Sequence, residues 1–223
     1  MTAVAHTPLP VVVLISGNGS NLQAIIDAIG AGLPAEIRAV FSNEPQAYGL
    51  IRAREAGIPA EVINHRDYAD RESFDRALMA RIDHYQPALI VLAGFMRILS
   101  EDFVNHYRGR MLNIHPSLLP RYQGLNTHQR VLDAGDATHG VSVHFVTPEL
   151  DGGPVILQAE IPVHADDDAG QLADRIHQQE HLIYPLVIRW FAEGRLQLDD
   201  DTVRLDGKPV ESLRYDSDME DTG

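Results

Sequence analysis

The sequence predicts a single α/β domain, a Rossmann-like, mostly parallel twisted sheet with helices on both faces. Three observations predict it. Val11 to Ile15 is an unbroken apolar, β-branched run of the kind buried on both faces of a sheet, and Ala88 to Ala93 reads as a second such strand. The first run breaks into Ser16-Gly17-Asn18-Gly19-Ser20-Asn21 and then into helical spacing from Leu22 to Ile29. Strand-like and helix-like segments then alternate along the chain, with no internal repeat and no linker rich enough to divide it.

Ile37 to Phe41 reads as the next strand, Tyr48 to Ala56 as a helix stopped by Gly57, and Ala60 to Ile63 as a short strand. Asp70 is placed to cap a helix that sets Phe74, Leu78, Ile82 and Tyr85 on one stripe until Pro87 ends it. A short helix from Glu101 to Tyr107 leads into the strand Met111 to Ile114, and His115 to Asn126 is loop, broken by Pro116, Pro120 and Gly124. The proline-rich turn leaves the Leu119–Pro120 bond either cis or trans. A helix from Thr127 to Ala134 closes at Gly135, and the strands Val141 to Val146 and Pro154 to Val163 flank the loop Pro148 to Gly153. The long helix Asp168 to Ala192 turns Leu172, Ile176, Ile183 and Val187 inward and should kink at Pro185. Val203 to Val210 suits a hairpin about Asp206-Gly207. Residues 10–212 are expected to form the folded domain, with 1–9 and the acidic tail 213–223 disordered.

A chain of 223 residues, 44% hydrophobic and 22% charged, buries a substantial core. Its net charge of -14 opposes a nucleic-acid surface but not a small anionic substrate, which backbone N–H groups can hold. No apolar run approaches the ~20 residues of a membrane span, and Met1 to Pro10 lacks the features of an export signal. With no cysteine, disulfides and thiolate metal sites are excluded, so a cytoplasmic protein is expected.

Two groups of residues carry chemistry. Gly17 and Gly19 allow close backbone approach where a strand passes into a helix N-terminus, and Ser20 and Asn21 add donors. Leu22 stands where a dinucleotide fingerprint needs its third glycine, and no Walker lysine follows, so the loop suits a single phosphate monoester; a tight turn without a ligand is the alternative. Asn113 and His115 alternate with Ile114 at a strand end and share one face, where open α/β sheets border a ligand crevice. Asp151, in Leu150-Asp151-Gly152-Gly153, is placed to reach the imidazole and favour its protonated form. An amide donor and an imidazolium suit a tetrahedral oxyanion, and no Ser or Cys nucleophile is needed when an amine attacks directly. A loop-capping role for His115 is the plainer alternative. His128, His139 and His144 offer a metal alternative but lack the spacing of a helical zinc pair.

Together these stretches identify a resemblance. Residues 13–23, 92–99, 112–120, 139–146 and 150–156, including Leu92-Ala-Gly-Phe-Met-Arg-Ile-Leu99 and Leu112-Asn-Ile-His-Pro-Ser-Leu-Leu-Pro120, resemble the bacterial phosphoribosylglycinamide formyltransferase family in order along nearly the whole chain. The resemblance implies formyl transfer in purine biosynthesis, with 10-formyltetrahydrofolate as donor, 5-phosphoribosylglycinamide as acceptor and no metal. It implies Asn113, His115 and Asp151 as the catalytic set. Gly19, Ser20 and Asn21 would hold the acceptor's phosphate and Glu180 its ribose, while His177 stands where relatives are expected to carry a different polar residue. Arg71, Met96, Arg97, Ile98, Leu99, Asn113, Leu150 and Asp151 would meet the folate. The N-terminal half would then bind the ribonucleotide and the C-terminal half the folate. Small-molecule substrates, a monomer or homodimer, and no nucleic acid or membrane partner follow. A formyltetrahydrofolate hydrolase and a noncatalytic nucleotide-binding module are the rival readings. The short stretch before the first strand opposes the former, and the intact Asn113, His115 and Asp151 oppose the latter.

Overall fold

A computed structural model describes residues 7–219. Eight strands form one sheet in the order β11-β7-β6-β5-β4-β1-β2-β3. They are β1 (Leu9–Ile15), β2 (Ala35–Ser42), β3 (Ala60–Val62), β4 (Leu89–Leu92), β5 (Met111–His115), β6 (Thr138–Phe145), β7 (Val155–Pro162) and β11 (Leu213–Arg214). Only β6 runs against the others, pairing antiparallel with β5 and β7. The helices are α1 (Ser20–Gly30), α2 (Gly49–Glu55), α3 (Arg71–His84), α4 (Glu101–His106), α5 (Thr127–Ala134) and α6 (Ala169–Ala192).

The side-chain period of two explains why the apolar runs are continuous. Val11, Val13 and Ile15 point to one face of the sheet, where they join Leu22 and Ile25 of α1 and Ile176 and Ile183 of α6. Val12 and Leu14 point to the other, where Phe74, Leu78 and Ile82 of α3 and Phe103 of α4 cover them. The core is thus two layers, one on each side of the sheet. Asp70 caps α3 by accepting from Ser73 N at 2.7 Å, and Asp168 caps α6 in the same way at 2.8 Å. α6 continues through Pro185 as one helix to Ala192. No helix among the described residues is long and apolar enough to cross a membrane.

Both expected disordered ends are partly ordered. Leu9 already belongs to β1, paired with Ala35 of β2. Leu213 and Arg214 pair with Leu157 and Gln158, which closes the outer edge of β7, and Tyr215 N donates to Gln158 O at 2.8 Å. Residues 1–6 and 220–223 lie outside the described residues. The hairpin about Asp206-Gly207 is present, both residues having positive φ, and it gains a third strand. The small sheet is β8 (Leu196–Asp199), β9 (Thr202–Leu205) and β10 (Lys208–Pro209). Leu119–Pro120 is cis.

Candidate active site

In a doubly wound sheet the crevice opens where neighbouring strands send their connections to opposite faces. Here that point lies between β1 and β4, because α1 packs on one face and α4 on the other. A cleft opens there, lined by Ser16 to Asn21 after β1, Ala93, Gly94 and Met96 after β4, Ile114 and Pro116 around the end of β5, and His177 and Glu180 of α6. No side chain caps the start of α1, so its first N–H groups stay open to an anion. Among the described residues that line it, His177 is the one histidine, lysine or arginine.

The loop is stiff. Gly49 N donates to Gly17 O at 3.1 Å, and Arg52 grips Asn18 through its backbone and side-chain oxygens at 3.0 and 3.1 Å. Gly19 sits at φ 76°, and a Cβ there would lie 2.7 Å from the Gly49 Cα. The glycine is therefore required by the approach of α2 to the loop as well as by its backbone conformation. Asn21 and Glu180, 159 positions apart, meet in a buried hydrogen bond of 2.8 Å from Asn21 Nδ2 to Glu180 Oε2. Burial pushes the Glu180 carboxyl above the usual range, and the Asn21 bond opposes that shift.

Asn113 and His115 occupy the carboxyl end of β5. His115 Nδ1 lies 3.4 Å from Asp151 Oδ2, both side chains being 8% exposed, and its Nε2 lies 2.9 Å from the Tyr122 carbonyl. Both ring nitrogens thus face oxygens. Asp151 is fixed by the Gly124 N–H at 2.9 Å and takes a left-handed φ of 50°, which Asp and Asn tolerate better than most residues. Gly153 completes the turn, where a Cβ would lie 1.9 Å from the Phe145 carbonyl. The Asn113 amide is oriented by His144. His144 Nδ1 donates to Phe145 O at 2.9 Å, so its Nε2 accepts from Asn113 Nδ2 at 3.1 Å and one amide N–H remains for a ligand. Burial holds the His144 imidazole down at about 4, so the ring stays neutral and keeps that acceptor.

A second cavity lies on the other side of this strand end. Phe95, Arg97, Ile98, Leu99 and Val104 line one wall, Asn113 and His144 the floor, and Val146 to Asp151 the opposite wall. Of the residues read with it, Arg97, Ile98, Leu99, Asn113, Leu150 and Asp151 line it. Two do not. Met96 faces the first cleft, and Arg71, on the first turn of α3, pairs with Glu72 at 3.2 Å. The histidines weighed for a metal are occupied otherwise: His128 Nδ1 and His139 Nε2 share a hydrogen bond of 3.0 Å, and His144 holds Asn113.

Residues 9–188 match the family described as Formyl transferase. The phosphoribosylglycinamide formyltransferase of Escherichia coli K12 is 56% identical over 209 residues, covering 93% of this chain and 99% of that protein. The chain belongs to the formyl transferase family. Among solved structures it is similar to the phosphoribosylglycinamide formyltransferase of Coxiella burnetii, with a TM-score of 0.91 and 56% identity over 94% of this chain and 100% of that one. It is also 48% identical over 187 residues to the trifunctional purine biosynthetic protein adenosine-3 of Drosophila melanogaster, which spans 82% of this chain and 14% of that protein.

Four features of this formyl transferase's site escape a reading of the sequence. Tyr122 contributes a carbonyl and Gly124 an N–H, and backbone groups carry no residue-type signal. His144 lies two strand positions beyond Ser142, on a face that the register places against Asn113, so strand pairing is the signal that finds it. Ser16 accepts from the Met96 N–H at 2.7 Å across a separation of 80 residues. Asp75 accepts from the Ser100 N–H at 2.5 Å and is fully buried on a helix that otherwise reads as amphipathic.

Proposed function

We propose that this enzyme transfers the formyl group of 10-formyltetrahydrofolate to the amine of N1-(5-phospho-D-ribosyl)glycinamide, the phosphoribosylglycinamide formyltransferase step of purine biosynthesis. One observation carries the reading: Asn113, His115 and Asp151 meet at the end of β5, between a cleft suited to a phosphate monoester and a separate cavity with an open backbone wall. In this reading the first cleft takes the ribonucleotide, phosphate at Gly19, Ser20 and Asn21 and ribose at Glu180. The second takes the folate, with Arg97 to Leu99, Leu150 and Asp151 around it.

The amine nitrogen attacks the formyl carbon directly. The C=O pair moves onto oxygen, where an Asn113 N–H and a His115 N–H donate to the developing charge. For Nε2 to serve, the substrate oxygen replaces the Tyr122 carbonyl as its partner. The bond from the formyl carbon to N10 then breaks as N10 gains a proton and the amine loses one, with His115 as the acid and Asp151 opposite it. The cysteine-free chain fits a cytoplasmic enzyme working on small molecules as a monomer or homodimer.

The experiment is an assay of formyl consumption from 10-formyltetrahydrofolate with and without the ribonucleotide. Formylated acceptor formed in step with tetrahydrofolate is expected. Tetrahydrofolate and free formate at an equal rate without acceptor would replace this reading with the hydrolase one. Asp151→Asn is expected to keep the fold, since Asn accepts the same φ, and to lower kcat at least about tenfold by removing the charge beside Nδ1. Near-UV circular dichroism with single-turnover rates checks both halves; unchanged turnover removes Asp151 from the set.

A further inference from the structure

The segment Met96 to Ser100, whose residues Arg97 to Leu99 line the second cavity, belongs to neither strand nor helix. Its two ends are held by side chains from elsewhere in the fold. At one end the Met96 N–H donates to Ser16 Oγ at 2.7 Å, and the Ser16 hydroxyl in turn donates to Oδ1 of Asn43, which is 2% exposed. At the other end the Ser100 N–H donates to Asp75 Oδ2 at 2.5 Å. Between these pins the peptide groups of Arg97, Ile98 and Leu99 make no hydrogen bond among the described residues. Three successive peptides that the protein itself leaves unpaired, in residues that line a cavity, are free to meet a ligand's donors and acceptors.

Asp75 itself lines neither the first cleft nor the second cavity. It sits on α3 behind the wall, 1% exposed, with its second oxygen buried and lacking a hydrogen-bond partner among the described residues. A buried carboxyl with half its capacity unused is costly. Its hydrogen-bonding partner is Ser100, which ends the open segment and also caps α4 by accepting from the Phe103 N–H at 3.4 Å.

We propose that Asp75, acting through Ser100 and opposed by Ser16 at the other end, is a positioning residue that holds the 96–100 segment in place and so presents the peptide edge of Arg97 to Leu99 to the formyl donor. This rests on the reading above that the cavity takes the folate. Burial pushes the Asp75 carboxyl above the usual range, with the Ser100 bonds and the Arg71 charge opposing it.

The test is tetrahydrofolate binding to the full chain by calorimetry, together with KM for each substrate. The parent is expected to bind; a parent that does not bind tetrahydrofolate overturns the folate reading itself, and with it this proposal. Asp75→Ala is expected to weaken tetrahydrofolate about tenfold to a hundredfold while the KM of the ribonucleotide stays within about threefold. Asp75→Asn, which keeps the accepting oxygen, is expected to restore donor binding to near the parental value. A merely structural role would lower the folded fraction and leave the affinity of the folded protein unchanged for both ligands. Parental affinity in Asp75→Ala, or an Asn variant as weak as the Ala one, overturns the proposal. If Asp75→Ala does not fold, Ser16→Ala applies the same test at the other pin, where weakened tetrahydrofolate binding supports the proposal and parental binding overturns it.

Discussion

His115→Ala and Asn113→Ala are each expected to lower kcat about a hundredfold to a thousandfold, the loss of roughly 3–4 kcal/mol that removal of one oxyanion donor brings. The two donors differ in how they are held. The Asn113 amide is locked by His144, itself tied to the Phe145 carbonyl, so its remaining N–H is aimed before any ligand arrives. The His115 ring is held from both sides by Asp151 and the Tyr122 carbonyl. Because both are proposed to act on one oxygen, the double variant should lose less than the product of the single losses. Dissociation constants for either substrate should change far less than kcat, since these bonds form in the transition state. Stopped-flow single-turnover rates at saturating substrate, on variants with parental circular dichroism, check this. Near-parental kcat in His115→Ala would end the mechanism.

Much of this site was legible in the chain because it depends on short-range pattern. The period-two spacing of Asn113 and His115, the glycine loop after Ile15 and the Leu150-Asp151-Gly152-Gly153 turn each sit at an element boundary that hydrophobic periodicity locates. What pattern could not supply was pairing. Ser16 with Met96, Asp75 with Ser100, and Asn21 with Glu180 are contacts across 80, 25 and 159 positions, fixed only once the sheet order brings the ends of β1, β4 and β5 together. From Met96 to Leu99 the irregular segment turns successive side chains to different cavities, Met96 to the first cleft and Arg97 to Leu99 to the second, and no periodicity reveals which. At the C-terminus composition misled. The acidic residues after Arg214 suggested disorder throughout, while Leu213 and Arg214 complete the edge of β7 through backbone pairing that composition does not register.

Acidification is expected to destabilise the protein well above the pH at which its carboxylates titrate. His139 and His144 are buried, and burial lowers each from 6.5 to about 4. Above pH 6.5 both are neutral in the folded and the unfolded chain and contribute nothing to pH dependence. As pH falls from 6.5 toward 4, the unfolded chain takes up a proton at each site while the folded protein does not, so stability is lost across that window. At pH 5 the loss is about 2 kcal/mol for each histidine, or about 4 kcal/mol for the pair. For a domain of this size that is a fall in Tm of roughly 10 °C between pH 7 and pH 5. His128, whose imidazole is also lowered by burial and bonded to His139, adds in the same direction. Asp75 and Glu180 act oppositely, because their raised carboxyls take up protons in the folded protein first as pH falls. The histidine share is therefore isolated by difference. His139→Gln is expected to lower Tm at pH 7, where it forfeits the bond to His128, yet to reduce the drop between pH 7 and pH 5 by about half. Scanning calorimetry across that range measures both. An equally steep fall in the variant would show that His139 does not exchange a proton on unfolding, and the acid sensitivity would have to come from other groups.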